Sequence, residues 1–467
     1  MNQSWDVIIV GARCAGATLA THLGRAGKRV LVLEAAPRGT NQPMSTHFIQ
    51  PPGVEALERL GLGEALRAAP ASKRFRLSLD DASVISTVPG GRVGRCVRRS
   101  TIDPLLQNLA ETSGADVRYH HRVTALVKDG ERVTGVVATT PRGEETFMAN
   151  LVVGADGPAS IVAKLANAEE YLTAELTRGG YYLYFPAPPK WEHEWDAALE
   201  HIGDDVRYVF RSDGDLVLLV VVTPLADSST WGANWRARTM AKLAESPITG
   251  PLTNGKEPIG KGCGLVKARY FYRCAVGPGF ALVGDAGHFK DFVTGQGMTD
   301  AFLDAERLAG AILDGREEAF EYYWRERDLA TLPLHFDAVR QGAVGYNNPL
   351  MRWVIERVGR REDLKDRGAM VAARELSPEE IVPMSTMLKW MGEALLRGRF
   401  DVLSGFLSMG KATSVEKKEL AMRRALFEAA RDALERAPAP PPDAGSGQYS
   451  RATAKAALIA YRRRPSR

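Results

Sequence analysis

Cysteine is scarce: Cys14, Cys96, Cys263 and Cys274 are the four in 467 residues, and they stand far apart. No Cys-x-x-Cys pair occurs and no Cys/His spacing suits zinc, so neither a disulfide framework nor a metal site is expected. Four free thiols fit a reducing cytoplasm. The opening residues lack a charged start followed by an apolar core, so no signal peptide is expected. Long hydrophobic runs are also missing. The longest, such as Leu216–Val222, fall well short of the ~20 residues that a bilayer span needs. No internal repeat is visible. A hydrophobic content of 45% and a charged content of 25% exclude collagen-like and wholly disordered chains. The length favours two or more sub-domains.

A charge excess is missing from the body too. There are 61 basic and 56 acidic residues, a net charge of +5. From Ala437 onward six basic residues (Arg451, Lys455, Arg462, Arg463, Arg464 and Arg467) face a single acid, Asp443. The chain before Ala437 is therefore balanced, which argues against a basic groove for nucleic acid. The excess sits behind the linker Pro438-Ala-Pro-Pro-Pro-Asp-Ala-Gly-Ser-Gly447. Such a segment is either a solvated tail or a weak electrostatic tether to a membrane or an acidic partner.

What is present starts with a β-branched run, Trp5–Val10, which predicts a strand buried on both faces. The turn Gly11-Ala-Arg-Cys-Ala-Gly16 follows, then a helix to about Arg25 stopped by Gly27, then a second buried strand ending on Glu34. Helices are expected over 53–69 and 102–113. A hairpin or excursion is expected over 74–97, and short strands around Gly130 and Gly135. Leu151–Gly154 reads as a further buried strand. Residues 179–275 change character: YYLYF, RYVF and LVLLVVV, divided by Pro, Gly and Asp, predict a mainly antiparallel sheet. Strand Phe280–Val283 returns to the first domain. An amphipathic helix over 298–313 and further helices to about Arg436 complete the ordered chain.

Three motifs carry chemistry. In the first, Gly11 makes a tight turn after a strand and Gly16 permits close packing of helix on strand. The helix then aims its amides at a pyrophosphate, and Glu34 at the next strand end suits ribose hydroxyls. The middle glycine of this fingerprint is Arg13. The second motif is Gly154-Ala-Asp156-Gly157, which also fits an ordinary strand-ending turn. The third is Gly284-Asp285-Ala-Gly-His288 with Thr294-Gly-Gln-Gly297 before a helix. It presents a carboxylate and glycine-flanked amides to a ligand.

Together these residues resemble the FAD-dependent aromatic-hydroxylase-like (group A) monooxygenases over roughly residues 5–340. The turn with Ser45-Thr-His47 is similar to a broad group of NAD(P)/FAD-dependent oxidoreductases that includes geranylgeranyl-reductase-like proteins. The resemblance implies an α/β fold: a glutathione-reductase-type, Rossmann-like FAD domain, an inserted mainly antiparallel substrate sheet and a helical C-terminal region. The FAD domain would take 1–74, 96–170 and 276–340. The substrate domain would take 75–95 and 171–275, the helices 341–436, and the linker and tail 437–467. By the same resemblance Gly11, Ala12, Ala15, Gly16 and Glu34 hold the ADP half of FAD, and Asp156 lies by the pyrophosphate and the transient NAD(P)H. Asp285 holds the ribityl chain, and Gly295, Gln296, Gly297 and Met298 lie by the pyrimidine edge. Arg99 approaches the phosphate side, although a solvated arginine pair reads the same way. Thr46 and His47 would face the flavin, with a structural role for His47 equally open. Phe292 stands where the family usually has proline beside the reactive edge. One or two of Tyr181, Tyr182 and Tyr184 would line the substrate pocket. Trp191 and Trp195 do not form the Trp-x-Trp-x-Ile-Pro signature of flavin halogenases.

The implied activity is oxygenation of a small organic substrate, aromatic or polyketide-like, with NAD(P)H and O2 through a flavin C4a-hydroperoxide. Two alternatives are an FAD-dependent reductase of an isoprenoid or other C=C bond and a non-catalytic flavin-binding scaffold.

Overall fold

The computed structural model describes residues 4–40, 43 and 45–438, without the side chains of 407–413. The tail's basic residues and most of its linker lie outside the described residues.

Strand Trp5–Val10 forms the middle of a parallel sheet. Val30–Glu34 pairs on one side and Gly143–Gly154 on the other. Asp116–Tyr119 and Phe280–Leu282 extend the sheet outward, also in parallel. Val7, Ile8, Ile9, Val30, Leu31, Val32, Val152 and Val153 are all buried. Each such side chain stabilises the fold by about 1.5–3 kcal/mol. The long strand Gly143–Gly154 also turns back through Arg132–Thr140 and Arg122–Asp129 as an antiparallel meander. Gly130 makes a turn at φ 59°, but Gly135 lies inside a strand. A Cβ there would stand 2.3 Å from the Phe147 carbonyl oxygen, so this glycine permits a close approach rather than a turn.

Helices Cys14–Arg25, Arg99–Thr112 and Gly297–Asp314 cover one face of the sheet and share its core. The second sheet runs Ile259–Leu265, Arg178–Pro186, Leu216–Pro224, Asp205–Ser212, Ala197–Ile202, Arg74–Leu79, Ala82–Thr87. It is antiparallel except where Arg74–Leu79 joins Ala197–Ile202, and Gly94–Cys96 joins Asp205–Ser212, in parallel. The excursion after residue 74 thus completes a sheet begun a hundred residues later. Leu216–Val222 is buried throughout, with Trp231 and Leu252 packed on one face and Tyr208 and Phe210 on the other.

Five helices follow Gly297–Asp314: Glu317–Gly342, Pro349–Gly359, Arg367–Ala372, Met384–Leu396 and Phe400–Arg436. Val354, Ile355, Val358, Trp390 and Phe406 pack with Leu79 and Val84 of the second sheet. This helical layer closes the open side of that sheet.

Candidate functional site

The Gly11 turn has φ 103°, and a Cβ there would meet the Ala155 carbonyl oxygen at 2.5 Å. At Gly16 a Cβ would lie 1.9 Å from the Gly11 carbonyl oxygen. Both glycines are therefore fixed by contacts with backbone, which cannot step aside. Glu34 ties the loop down. Its carboxylate accepts hydrogen bonds from the Ala12 N–H at 2.9 Å and the Ala36 N–H at 3.0 Å. A shallow cleft lined by Ala35, His120 and Arg122 opens beside it.

Helix Cys14–Arg25 starts at Arg13 with no capping side chain and no acid in its first turn. Helix Gly297–Asp314 also starts without a capping side chain, after Gly295 in the left-handed region. Among the described α-helices, side-chain caps occur at Ile161–Leu165, from Ser160, and at Pro349–Gly359, from Asn348. Each of these two helix starts follows a glycine turn, at Gly11 and at Gly295, and the two helices share one core, an arrangement that an anionic ligand can use.

The third motif meets the first. A Cβ on Gly284 would lie 2.9 Å from the Ala15 Cβ, so the Asp285 turn packs directly on the first helix. Asp285 sits in a crowded recess, and burial raises its carboxyl to about 6, opposed by the charge of Arg99. Arg99 Nε donates to Asp103 Oδ1 at 2.7 Å, and both side chains are buried. Asp103 is a site residue that the sequence reading passed over, although its i,i+4 spacing from Arg99 was visible.

His47 adopts φ 58° and its Nδ1 accepts the Arg99 N–H at 3.0 Å. Its ring stands edge-on between Tyr182 at 5.2 Å and Tyr184 at 5.8 Å. Burial, then the charge of Arg99, lowers it to about 3. The imidazole is thus neutral near pH 7, and what the geometry supports is positioning of helix Arg99–Thr112.

Residues 45–50 are sewn to the loop before the last site helix. Ser45 Oγ lies 3.4 Å from Met298 Sδ, the Gln50 N–H donates to Thr299 Oγ1 at 2.9 Å, and Gln50 Nε2 donates to the Thr294 carbonyl at 3.2 Å. A Cβ on Gly295 would be 3.5 Å from Thr46 Oγ1. Thr46, Gly295, Gln296, Gly297 and Met298 are thereby one locus. Asp156 uses its carboxylate within its own turn, accepting from Ser160 Oγ at 2.5 Å and the Ile161 N–H at 2.7 Å. Phe292 packs on the second sheet: a Cβ on Gly180 would be 3.1 Å from its ring, and Tyr182, Tyr184 and Tyr208 share its cluster.

Beneath the loop lies a buried ionic cluster. Asp300 pairs with Lys290 and with Arg374, and Arg374 Nη2 also lies 3.4 Å from Gln296 Oε1. Burial opposes ionisation of Asp300, yet the two cations hold its carboxyl well below the usual range. Arg374 comes from the helical layer, and nothing local in the sequence marks it.

Above the loop a cavity of about 1100 Å³ runs between the second sheet and the helical layer. Thr46, Thr294, Gly295 and Gln296 form its inner end, and Phe75, Leu199 and Phe210 line its sheet wall. Val354, Ile355 and Met387 are among the side chains of the opposite wall. No cluster suited to a metal ion occurs among the described residues.

The fold and this cleft define a flavoenzyme of the glutathione-reductase type. The glycine cradle, the helix starts that follow it and the two carboxylates fit FAD. In agreement, the family profile described as "FAD binding domain" matches residues 4–330. The chain belongs to that family and is an FAD-dependent oxidoreductase of flavin-monooxygenase-like type. Among curated relatives, the digeranylgeranylglycerophospholipid reductase of Methanocella arvoryzae is 24% identical over 348 residues, covering 67% of this chain and 78% of its own. The para-nitrophenol 4-monooxygenase of a Pseudomonas strain is 25% identical over 337 residues, covering 66% and 77%. Among solved structures, the p-nitrophenol 4-monooxygenase of Pseudomonas putida shares the fold with a TM-score of 0.69 at 19% identity, covering 80% of this chain and 98% of that one. No helix among the described residues is long and apolar enough to cross a membrane.

Proposed function

We propose that this enzyme is an FAD-dependent monooxygenase that uses NAD(P)H and O2 to oxygenate an aromatic or polyketide-like substrate. The observation that carries the reading is the large, mainly apolar cavity that Thr46 and Gly295–Gln296 help to line. When bound, FAD supplies the redox chemistry: two-electron exchange with a nicotinamide and activation of O2. The chain's own residues bind, orient and exclude water. Glu34 would hold the adenosine ribose and Asp285 the ribityl hydroxyls. The amides of Ala12 to Gly16 would meet the pyrophosphate, with Arg99 on its flank. The amides of Gly295 to Met298 would meet the pyrimidine edge. His47 would keep helix Arg99–Thr112 in register as an uncharged imidazole, its Nδ1 accepting the Arg99 N–H. Val293 and Phe210 keep the inner end of the cavity apolar, which protects a reactive oxidant from water. No side-chain acid–base pair is demanded by this chemistry.

A second reading, reduction of an isoprenoid C=C bond, is favoured by the reductase relative that matches 67% of this chain. Substrate-stimulated O2 consumption with NAD(P)H separates the two. The monooxygenase requires oxygen for every turnover. Equal turnover under strict anaerobiosis would leave only the reductase.

A further inference from the structure

Ten large apolar side chains are exposed among the described residues, and five of them fall between residues 384 and 400. Met384, Leu388, Leu395, Leu396 and Phe400 are 64, 59, 59, 89 and 69% exposed. Met384, Leu388 and Leu395 recur at i, i+4 and i+11 along helix Met384–Leu396, so they share one face. The opposite face, Trp390 and Ala394, is buried in the helical layer. An apolar stripe of this extent on the outside of a helix marks a contact surface.

Charge and position select the occupant. The carboxylates of this segment are already engaged: Glu393 pairs with Arg357 at 3.1 Å and Asp401 with Arg399 at 2.8 Å. Lys389 and Arg397 are exposed, with no ion pair among the described residues, Arg397 lying over the Trp353 ring at 6.0 Å, so the patch is apolar with two cations on its rim. A second copy would bring the same cations against one another, whereas anionic headgroups complement them. Met384 also lines the large cavity, with Met387 one turn further along the wall. The cavity therefore reaches the surface beside the exposed stripe.

We propose that helix Met384–Leu396 and the turn to Phe400 dock this enzyme on an anionic bilayer surface, and that a lipophilic substrate enters the cavity from the membrane past Met384. The docking stands on the surface alone. The entry of substrate rests on the reading of the cavity as the substrate site.

The test is co-sedimentation of the FAD-loaded full chain with vesicles of phosphatidylcholine, with and without phosphatidylglycerol. The wild type is expected to pellet with the anionic vesicles. Leu388→Glu with Leu396→Glu should lower the bound fraction at least about ten-fold, since both side chains lose an apolar environment. Lys389→Glu with Arg397→Glu should lower it about ten-fold or more on the anionic vesicles and leave the neutral ones unchanged. A chain ending at residue 438 should keep the difference between wild type and the double glutamate variant, which separates this surface from the basic tail. Binding by the double glutamate variant equal to wild type would overturn the proposal. So would a wild-type dimer in analytical ultracentrifugation that the same variant dissociates. FAD content and oxygen uptake, measured on the same preparations without vesicles, report on the proposed reaction separately, so its failure is not confused with failure of docking.

Discussion

The flavin-type domain and the helical layer over residues 349–436 build opposite walls of one site by different means. In the first, backbone does the placing: Gly11 and Gly295 at positive φ before two helix starts, and carboxylates at the ends of strands. In the second, side chains do it: Val354, Ile355 and Met387 form a wall whose shape depends on how whole helices pack. A site fixed by backbone tolerates few substitutions and serves one ligand. A site fixed by side chains can be reshaped without loss of the fold. On the proposed function, cofactor and substrate specificity would fall to separate regions.

The sharpest test of this division is Gly16→Val. The new Cβ would meet the Gly11 carbonyl at under 2 Å, and neither backbone can move away. We expect loss of FAD and about 3–5 kcal/mol of stability, read by the flavin spectrum and by chemical denaturation. Full retention of FAD would break the claim that the turn is set by backbone.

Arg374→Ala should act on both regions at once, because Arg374 ties the helical layer to Gln296 and Asp300 at the start of helix Gly297–Asp314. Asp300 would keep only Lys290. We expect about 2–4 kcal/mol of destabilisation and weaker FAD retention. An effect on stability alone would mean that the loop holds its shape without the helical layer.

Asp285 offers a pH test confined to the first region. Burial raises its carboxyl from the ordinary 3.8 to about 6. The folded chain then binds this proton more tightly than the unfolded one. Its contribution to apoprotein stability is full below pH 3.8 and is lost as pH rises through 6. Asp285→Asn should flatten that decline by about 1–3 kcal/mol, measured by thermal unfolding between pH 4 and 7. Asp291, also raised to about 6, keeps part of the slope. An unchanged slope would remove the assigned burial.

The smallest effect is expected from Val354→Ala in the helical wall. Removing two methyl groups should cost about 1–2 kcal/mol and shift KM for the substrate a few-fold while FAD binding stays unchanged. A change in FAD affinity would blur the two regions into one.

Much of the first region was legible beforehand. Gly11, Gly16, Glu34, Asp285 and Gly295–Met298 stand at strand ends and helix starts, and the chain order of those elements shows locally. Arg99 was visible, and its partner Asp103 lay four residues on in the same helix. His47 was visible as a candidate, but its neutral, buried state was not, because Tyr182, Tyr184 and the Arg99 amide come from distant segments. Phe292 was noticed as a departure. Its packing against Gly180 depends on a strand over a hundred residues earlier.

What the sequence by itself determined is the flavin-binding class, since phosphate cradles need particular glycines at particular places and such needs are written locally. What the tertiary structure alone decided is the cavity, the Arg374 grip and the exposed stripe over Met384–Phe400. Apolar periodicity says that a helix has a buried face but not against what, so only the packed chain shows which faces meet and which one is left uncovered.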